Sequence, residues 1–323
     1  MSNKIKSILW VMLFLISGVF LSCFPYSTAN FVKENNNLLA DSEIKGQSSV
    51  VNTSSPELIT KDSSYVLLNP QNKQILNEYQ GDIKRAPAST TKLLTGLIAV
   101  KDLKETELVR VGREVEVEGS RLGLKPGDEI SVHDLLTALY VQSANDAAAA
   151  IAVKVSGSIP AFAVEMNNYA LSLGCLNSNF RNPHGLPEPG HYTTAEDLSK
   201  IAGAFLKQAN LMKFVKETSA AVRWRDSKGQ NHSALLKNTN SLLGVYPGDQ
   251  GLKTGTTTEA GQCLISYVCR PDGELLLILL GSKQRYSDSI KLLDEGWADQ
   301  RINAAIRNLS NDQRDFFFSP GLF

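Results

Sequence analysis

Three short patterns in this chain hold residues able to make and break an acyl bond. Ser89-Thr90-Thr91-Lys92 sets a hydroxyl and an amine three residues apart. On a helix those positions share a face, with Cβ atoms about 5–6 Å apart. A serine is a weak nucleophile until a base takes its proton. A lysine one turn away can take it, once burial or a nearby cation lowers the lysine pKa. Pro87 suits the start of a helix, and a serine in the first turn gains from the free N–H groups there. Alone the pattern is weak, since Ser42-Glu43-Ile44-Lys45 also matches it with no apolar helix behind it.

The second pattern, Ser143-Ala144-Asn145, is the only Ser-x-Asn in the chain and falls in a break between two apolar helical stretches. There its polar side chains can face a cleft, or can simply cap the following helix. The third is Lys253-Thr254-Gly255, just before a strand expected from about Gln262. On an edge strand it would offer a cation and a hydroxyl to a substrate carboxylate, while the glycine allows close backbone approach. Taken singly, it reads more simply as an exposed turn.

Other chemistries are poorly served. His184 and His191 have six residues between them in a Pro/Gly-rich loop, no His-Glu-x-x-His occurs, and no metal site is expected. No Gly-x-Ser-x-Gly elbow occurs. Lys plus Arg and Asp plus Glu both number 33, so the balanced charge gives no support for a nucleic-acid partner. Cys175, Cys263 and Cys269 have no regular spacing, and Cys263 and Cys269 read as small hydrophobes on one face of a strand.

The elements that must hold these residues follow from periodicity. Strands are expected at 65–68 and 74–76 around an Asn69-Pro70-Gln71-Asn72 turn. A buried helix is expected over about 89–103, then short strands and turns over 107–130. Ser131 should cap a helix, an alanine-rich helix should run from Asp146 to Val155, and further helices are expected near 160–173 and 194–208. Thr193-Thr194-Ala195-Glu196 reads as the capping box of the last of these. Strands at 262–269 and 274–280 form a hairpin, and a helix over about 287–302 closes the chain. The order implies an α+β fold with an antiparallel sheet beside a helical cluster.

The termini differ from this core. Lys4 and Lys6 precede an apolar run from Ile8 to Leu21, so residues 1–29 are expected to be a signal peptide or N-terminal membrane anchor. Lipidation at Cys23 competes with cleavage near Ala29, although Phe20 and Leu21 make a poor lipobox. Residues 30–60 read as a flexible linker, 61–302 as the catalytic domain and 303–323 as a tail with Phe316-Phe317-Phe318.

Together and in this order, the three patterns resemble those of active-site serine enzymes that recognise penicillin. Ala86-Pro87-Ala88-Ser89, Ser143-Ala144-Asn145-Asp146, Asn182-Pro183-His184-Gly185-Leu186, His191-Tyr192-Thr193-Thr194-Ala195-Glu196, Asn238-Thr239-Asn240 and Gly251-Leu252-Lys253-Thr254-Gly255 extend the likeness. Over about residues 60–300 the chain resembles the D-Ala-D-Ala carboxypeptidase family of low-molecular-weight penicillin-binding proteins.

That resemblance implies a single β-lactamase/transpeptidase-like domain with an all-helical subdomain, working without cofactor outside the cytoplasm. It implies Ser89 as nucleophile, Lys92 as base and Ser143 as proton relay, with Ser89 and Thr256 N–H groups as oxyanion hole. Asn145, Lys253, Thr254, Gly255 and Thr256 would bind substrate. The implied partners are peptidoglycan stem peptides ending in D-Ala-D-Ala and β-lactam antibiotics, with N-terminal membrane attachment left open. A β-lactamase with Glu188 activating water, a D,D-endopeptidase and a catalytically silent peptidoglycan-binding protein are the rivals. Many members of the family add a β-rich second domain and a C-terminal anchor, for which little chain follows Trp297.

Overall fold

The structure, a computed structural model, describes residues 62–307. The expected export segment, the linker and residues 308–323 lie outside them. A five-stranded antiparallel sheet is built from β1 (Ser64–Asn69), β2 (Gln74–Tyr79), β7 (Asp249–Thr257), β8 (Gly261–Arg270) and β9 (Gly273–Ser282), in the order β2-β1-β9-β8-β7. The leucine-rich run of β9 buries both faces of the sheet. Leu275, Leu277 and Leu279 pack with Leu292, Leu293 and Trp297 of α7 (Arg285–Arg307). Leu276, Ile278 and Leu280 belong to the larger core, with Leu93, Leu94, Leu97 and Ile98 of α1 (Lys92–Asp102). Helix α7 runs past the expected end of the domain at 302.

The helical cluster comprises α1, α2 (Val132–Thr137), α3 (Asn145–Ser156), α4 (Ile159–Ser172), α5 (Ala195–Leu206) and α6 (Ala209–Val215). Beside it lies a four-stranded sheet of β3 (Leu108–Arg110), β4 (Glu129–Ser131), β5 (Ser219–Arg225) and β6 (Asn231–Lys237), in chain order. Neither α6 nor the β5–β6 hairpin is among the elements expected from sequence. Among the described residues, no single helix is long and apolar enough to cross a membrane.

Several details depart from expectation. The helix expected from Ser89 opens as a 3-10 turn, Ala88–Thr91, before α1 begins at Lys92. In 3-10 geometry residues i and i+3 eclipse, which draws Ser89 and Lys92 together. Ser131 does cap α2, its Oγ accepting from Asp134 N at 3.0 Å. Helix α5 is capped by Thr194, which accepts from Asp197 N, and not by Thr193; the latter pairs its main chain with Arg85 instead. Cys263 is buried but Cys269, beside the β8–β9 turn, is exposed, so only one of the two acts as a small core residue.

Candidate active site

The chain passes from α2 through a π turn, Ala138–Gln142, to Ser143, which adopts a left-handed conformation (φ 63°, ψ 33°). Helix α3 then starts at Asn145 with Ala144 at its N-cap and no side-chain capping bond. Neither Ser143 nor Asn145 therefore serves as a cap. Ala88, just before Ser89, also has a positive φ of 48°. Left-handed backbone at a non-glycine residue costs on the order of 1–3 kcal/mol and persists only where surrounding packing enforces it. Here it occurs beside one motif serine and at the other.

Lys92 is completely buried. Its Nζ lies 2.9 Å from Ser89 Oγ, 2.7 Å from Asn145 Oδ1 and 2.8 Å from the carbonyl of His184. Burial, and then the charge of Lys253, drive its pKa well below the ordinary lysine range, with Asp146 partly opposing. A neutral amine has two N–H bonds and one lone pair. The two carbonyl oxygens can only accept, so they take the N–H bonds and the lone pair faces the Ser89 hydroxyl.

Asn145 Nδ2 donates to Glu118 O at 2.6 Å and its main-chain N–H to Ser120 O at 2.7 Å. The Asp146 carboxylate accepts from the N–H groups of Leu122, Gly123 and Leu124, fixing that wall of the cleft against α3.

The Lys253-Thr254-Gly255 segment lies within the edge strand β7, a strand of its own ahead of the one expected from about Gln262, and not in an exposed turn. A Cβ on Gly255 would stand 2.8 Å from Ser89 N and 2.9 Å from Ala88 Cβ, so only glycine lets the strand approach the serine turn. Gly185, with φ 83°, meets the same turn from the other side, where a Cβ would fall 1.8 Å from Ala88 O.

Ser89, Ser143, Asn145, Thr254, Gly255 and Thr256 all line one cleft of about 360 Å³. The two lysines lie apart from this lining. Lys253 is buried with Nζ donating to Thr254 O at 2.9 Å, and burial followed by the charge of Arg285 lowers its pKa to about 7. Ser143 Oγ, although in the cleft, makes no hydrogen bond among the described residues.

The cleft also contains Thr239, from the Asn238-Thr239-Asn240 stretch, and residues the motifs did not point to: Ser120, Gln262, Arg285 and Tyr286. Arg285 donates to the carbonyls of Gly255 (2.9 Å) and Cys263 (3.0 Å), to Gln262 Oε1 (3.2 Å) and to Thr256 Oγ1. Four of its five N–H groups are thereby engaged. Its neighbours in sequence, Lys283, Gln284 and Tyr286, read as the solvated start of a helix, so no local signal marked it.

The histidines are committed elsewhere. His191 Nδ1 accepts from Arg181 N, so Nε2 donates to Thr91 Oγ1 at 3.2 Å. His184 Nδ1 accepts from Leu186 N. Burial lowers their pKa values to about 4 and about 3, and for His184 the charge of Lys92 adds to it. No group of three His, Cys, Asp or Glu side chains among the described residues could hold a metal ion. Glu188 is absent from the cleft lining and accepts from Asn182 Nδ2 at 3.0 Å beside Arg181. A larger groove of about 620 Å³ over the small sheet, between Asp134, Trp224 and His232, contains none of the motif residues.

Comparison with known proteins places the chain in a family. A profile described as D-alanyl-D-alanine carboxypeptidase matches residues 50–284. The D-alanyl-D-alanine carboxypeptidase DacF of Bacillus subtilis is 34% identical over 247 residues, 74% of this chain and 62% of its own length. The D-alanyl-D-alanine carboxypeptidase of Streptomyces sp. strain K15 is 31% identical over 234 residues, 67% of this chain and 80% of its own. The chain spans about 60% of the length of the DacF, DacC and DacA relatives. Among solved structures, the Streptomyces K15 DD-transpeptidase superposes with a TM-score of 0.71 at 27% identity, covering 76% of this chain and 99% of that one.

Proposed function

Since the chain belongs to the D-alanyl-D-alanine carboxypeptidase family, we propose that it removes the terminal D-alanine from peptidoglycan stem peptides through an acyl-enzyme on Ser89. The observation that carries this reading is the environment of Lys92: a buried amine, depressed in pKa, whose lone pair is left facing the Ser89 hydroxyl.

In the proposed reaction Ser89 Oγ attacks the carbonyl of the penultimate D-alanine while its proton passes to Lys92 Nζ. The oxyanion is held by the N–H groups of Ser89 and Thr256, donors worth about 3 kcal/mol each in comparable sites. The C–N bond then breaks and the leaving amine takes the proton, relayed by the free hydroxyl of Ser143. Water attacks the resulting ester, releasing the shortened peptide and restoring Ser89. Asn145 orients the substrate amide through its remaining N–H, while Thr254, Thr256 and the last free N–H of Arg285 receive the terminal carboxylate. Lys253 adds positive charge beneath the strand and keeps Lys92 neutral.

A β-lactam presents a strained amide and a carboxylate to the same groups, and Glu188 is not placed to activate water against the ester. The likeness to a DD-transpeptidase favours a second reading, in which an amine of another stem peptide replaces water as acceptor. The expected N-terminal segment would deliver the domain outside the cytoplasm, with or without membrane attachment, and no cofactor is required.

Free D-alanine released from a peptide ending in D-Ala-D-Ala tests the activity. Stoichiometric release that is lost in Ser89→Ala is expected; release that persists in that variant would overturn the assignment. Adding a D-amino acid as acceptor separates hydrolysis from transfer by the product formed.

A further inference from the structure

Thr239 lies in the cleft but outside the three catalytic motifs. Its main chain is fixed on both sides: its N–H donates to Val141 O at 3.1 Å, and its carbonyl accepts from Tyr286 Oη at 2.8 Å. The flanking residues are tied down as well. Asn238 Nδ2 donates to Glu217 O at 2.8 Å, and Asn240 Nδ2 donates to the buried Asp249 carboxylate at 3.1 Å. Asp249 in turn accepts from Ser266 Oγ at 2.6 Å, which locks the segment to the back of the sheet. A segment held at so many points delivers one group to the cleft, the Thr239 hydroxyl. Its one hydrogen bond among the described residues is to Thr254 Oγ1, at 2.6 Å.

Two hydroxyls that share one hydrogen bond use one proton between them and leave the other free. If Thr254 donates to Thr239, an anion facing Thr254 meets only lone pairs. If Thr239 donates, Thr254 keeps its own proton for the ligand. An acceptor-only carboxylate selects the second arrangement, and the Thr239 hydroxyl then polarises the Thr254 donor.

We propose that Thr239 is a specificity-determining residue of the cleft, donating to Thr254 Oγ1 so that Thr254 presents its proton to the free carboxylate of the substrate. The inference rests on the reading that the Thr254 end of the cleft holds that carboxylate. A threonine or serine at 239 meets the requirement, whereas a β-branched apolar residue of the same shape removes the donor without removing the bulk.

The test compares acylation of the full chain by a peptide ending in D-Ala-D-Ala and by the same peptide with a C-terminal amide. Wild type favours the free acid. Thr239→Val lowers kcat/KM for the acid by about tenfold, the scale of one hydrogen bond to a charged group, and changes the amide by less than about threefold. Thr239→Ser restores the preference. Equal losses on both substrates, or none on the acid, would overturn the proposal. If wild type itself does not distinguish acid from amide, the carboxylate reading fails first and takes the proposal with it.

Discussion

The two walls of the cleft differ in how far the protein satisfies its own polar groups. On the helical wall the buried groups are mostly satisfied, with the Ser143 hydroxyl and one N–H of Asn145 left over: Lys92 meets three oxygens, Asn145 spends its carbonyl on Lys92 and one N–H on Glu118, and Asp146 takes three main-chain N–H groups. On the strand wall, Thr254 has one hydroxyl partner and Arg285 keeps one N–H. Wiring the buried Lys92 and Asn145 in this way would fix the direction of the proposed proton transfer, because a low dielectric penalises any other distribution of charge. A wall with donors to spare holds a ligand that brings only acceptors. In the proposed reaction proton handling and anion binding are thereby separated, and Gly255 is where the strand comes closest to the Ser89 turn.

This division can be broken most severely from the helical side. Lys92→Met removes the proposed base and leaves the Asn145 and His184 carbonyls without the Lys92 amine. Acylation by penicillin should slow by about a thousandfold, within the range for loss of a general base, in stopped-flow or quenched-flow assays. A loss below tenfold would move the base elsewhere. Gly255→Ala attacks the junction instead. Its methyl must displace the Ser89 turn by several tenths of an ångström, and acylation should fall by about a hundredfold with the fold retained by circular dichroism.

Proton occupancy sharpens the comparison. Lys253 loses its charge as pH rises through about 7, so acylation should decline above that pH. Lys253→Met should be slower throughout and flat across the same range. A wild-type profile that stays level from pH 7 to 9 would remove Lys253's charge from the mechanism.

The smallest effect concerns stability behind the helical wall. His184 and His191 are neutral and buried, with folded-state pKa values of about 3 and about 4 against 6.5 when free. Above pH 6.5 neither state binds the proton, so nothing is lost. As pH falls from 6.5 to 4 the unfolded chain is protonated first, and stability drops by roughly 3 kcal/mol for each histidine. Urea unfolding at pH 7 and pH 4.5 should show the drop, and His191→Gln should reduce it.

Much of this site was legible in sequence because its groups sit at fixed local spacings. Ser89 and Lys92 on one turn, Ser143 and Asn145 across a helix break, and the Lys253-Thr254-Gly255 strand are each short-range patterns. What was not legible depends on long-range packing. Arg285 reaches Gly255 across 30 residues, and Thr239, although its Asn238-Thr239-Asn240 stretch was part of the likeness, meets Thr254 across 15. The β5–β6 hairpin went unread since Arg223, Arg225, Asn231 and Ser233 keep its outer face exposed and polar, with no strong apolar run to mark a strand. The capping of α5 shifted by one residue because Thr193 was taken up by the bridge to Arg85, leaving Thr194 as the cap.

The most direct test of the account is the intact mass of the full chain followed over time with benzylpenicillin, beside Ser89→Ala. A long-lived adduct of one drug molecule on wild type, mapped to the peptide containing Ser89 and absent from the variant, is the expected result. An adduct on the variant, or none on wild type, would contradict the assignment of Ser89, and rapid turnover of the drug would make the protein a β-lactamase.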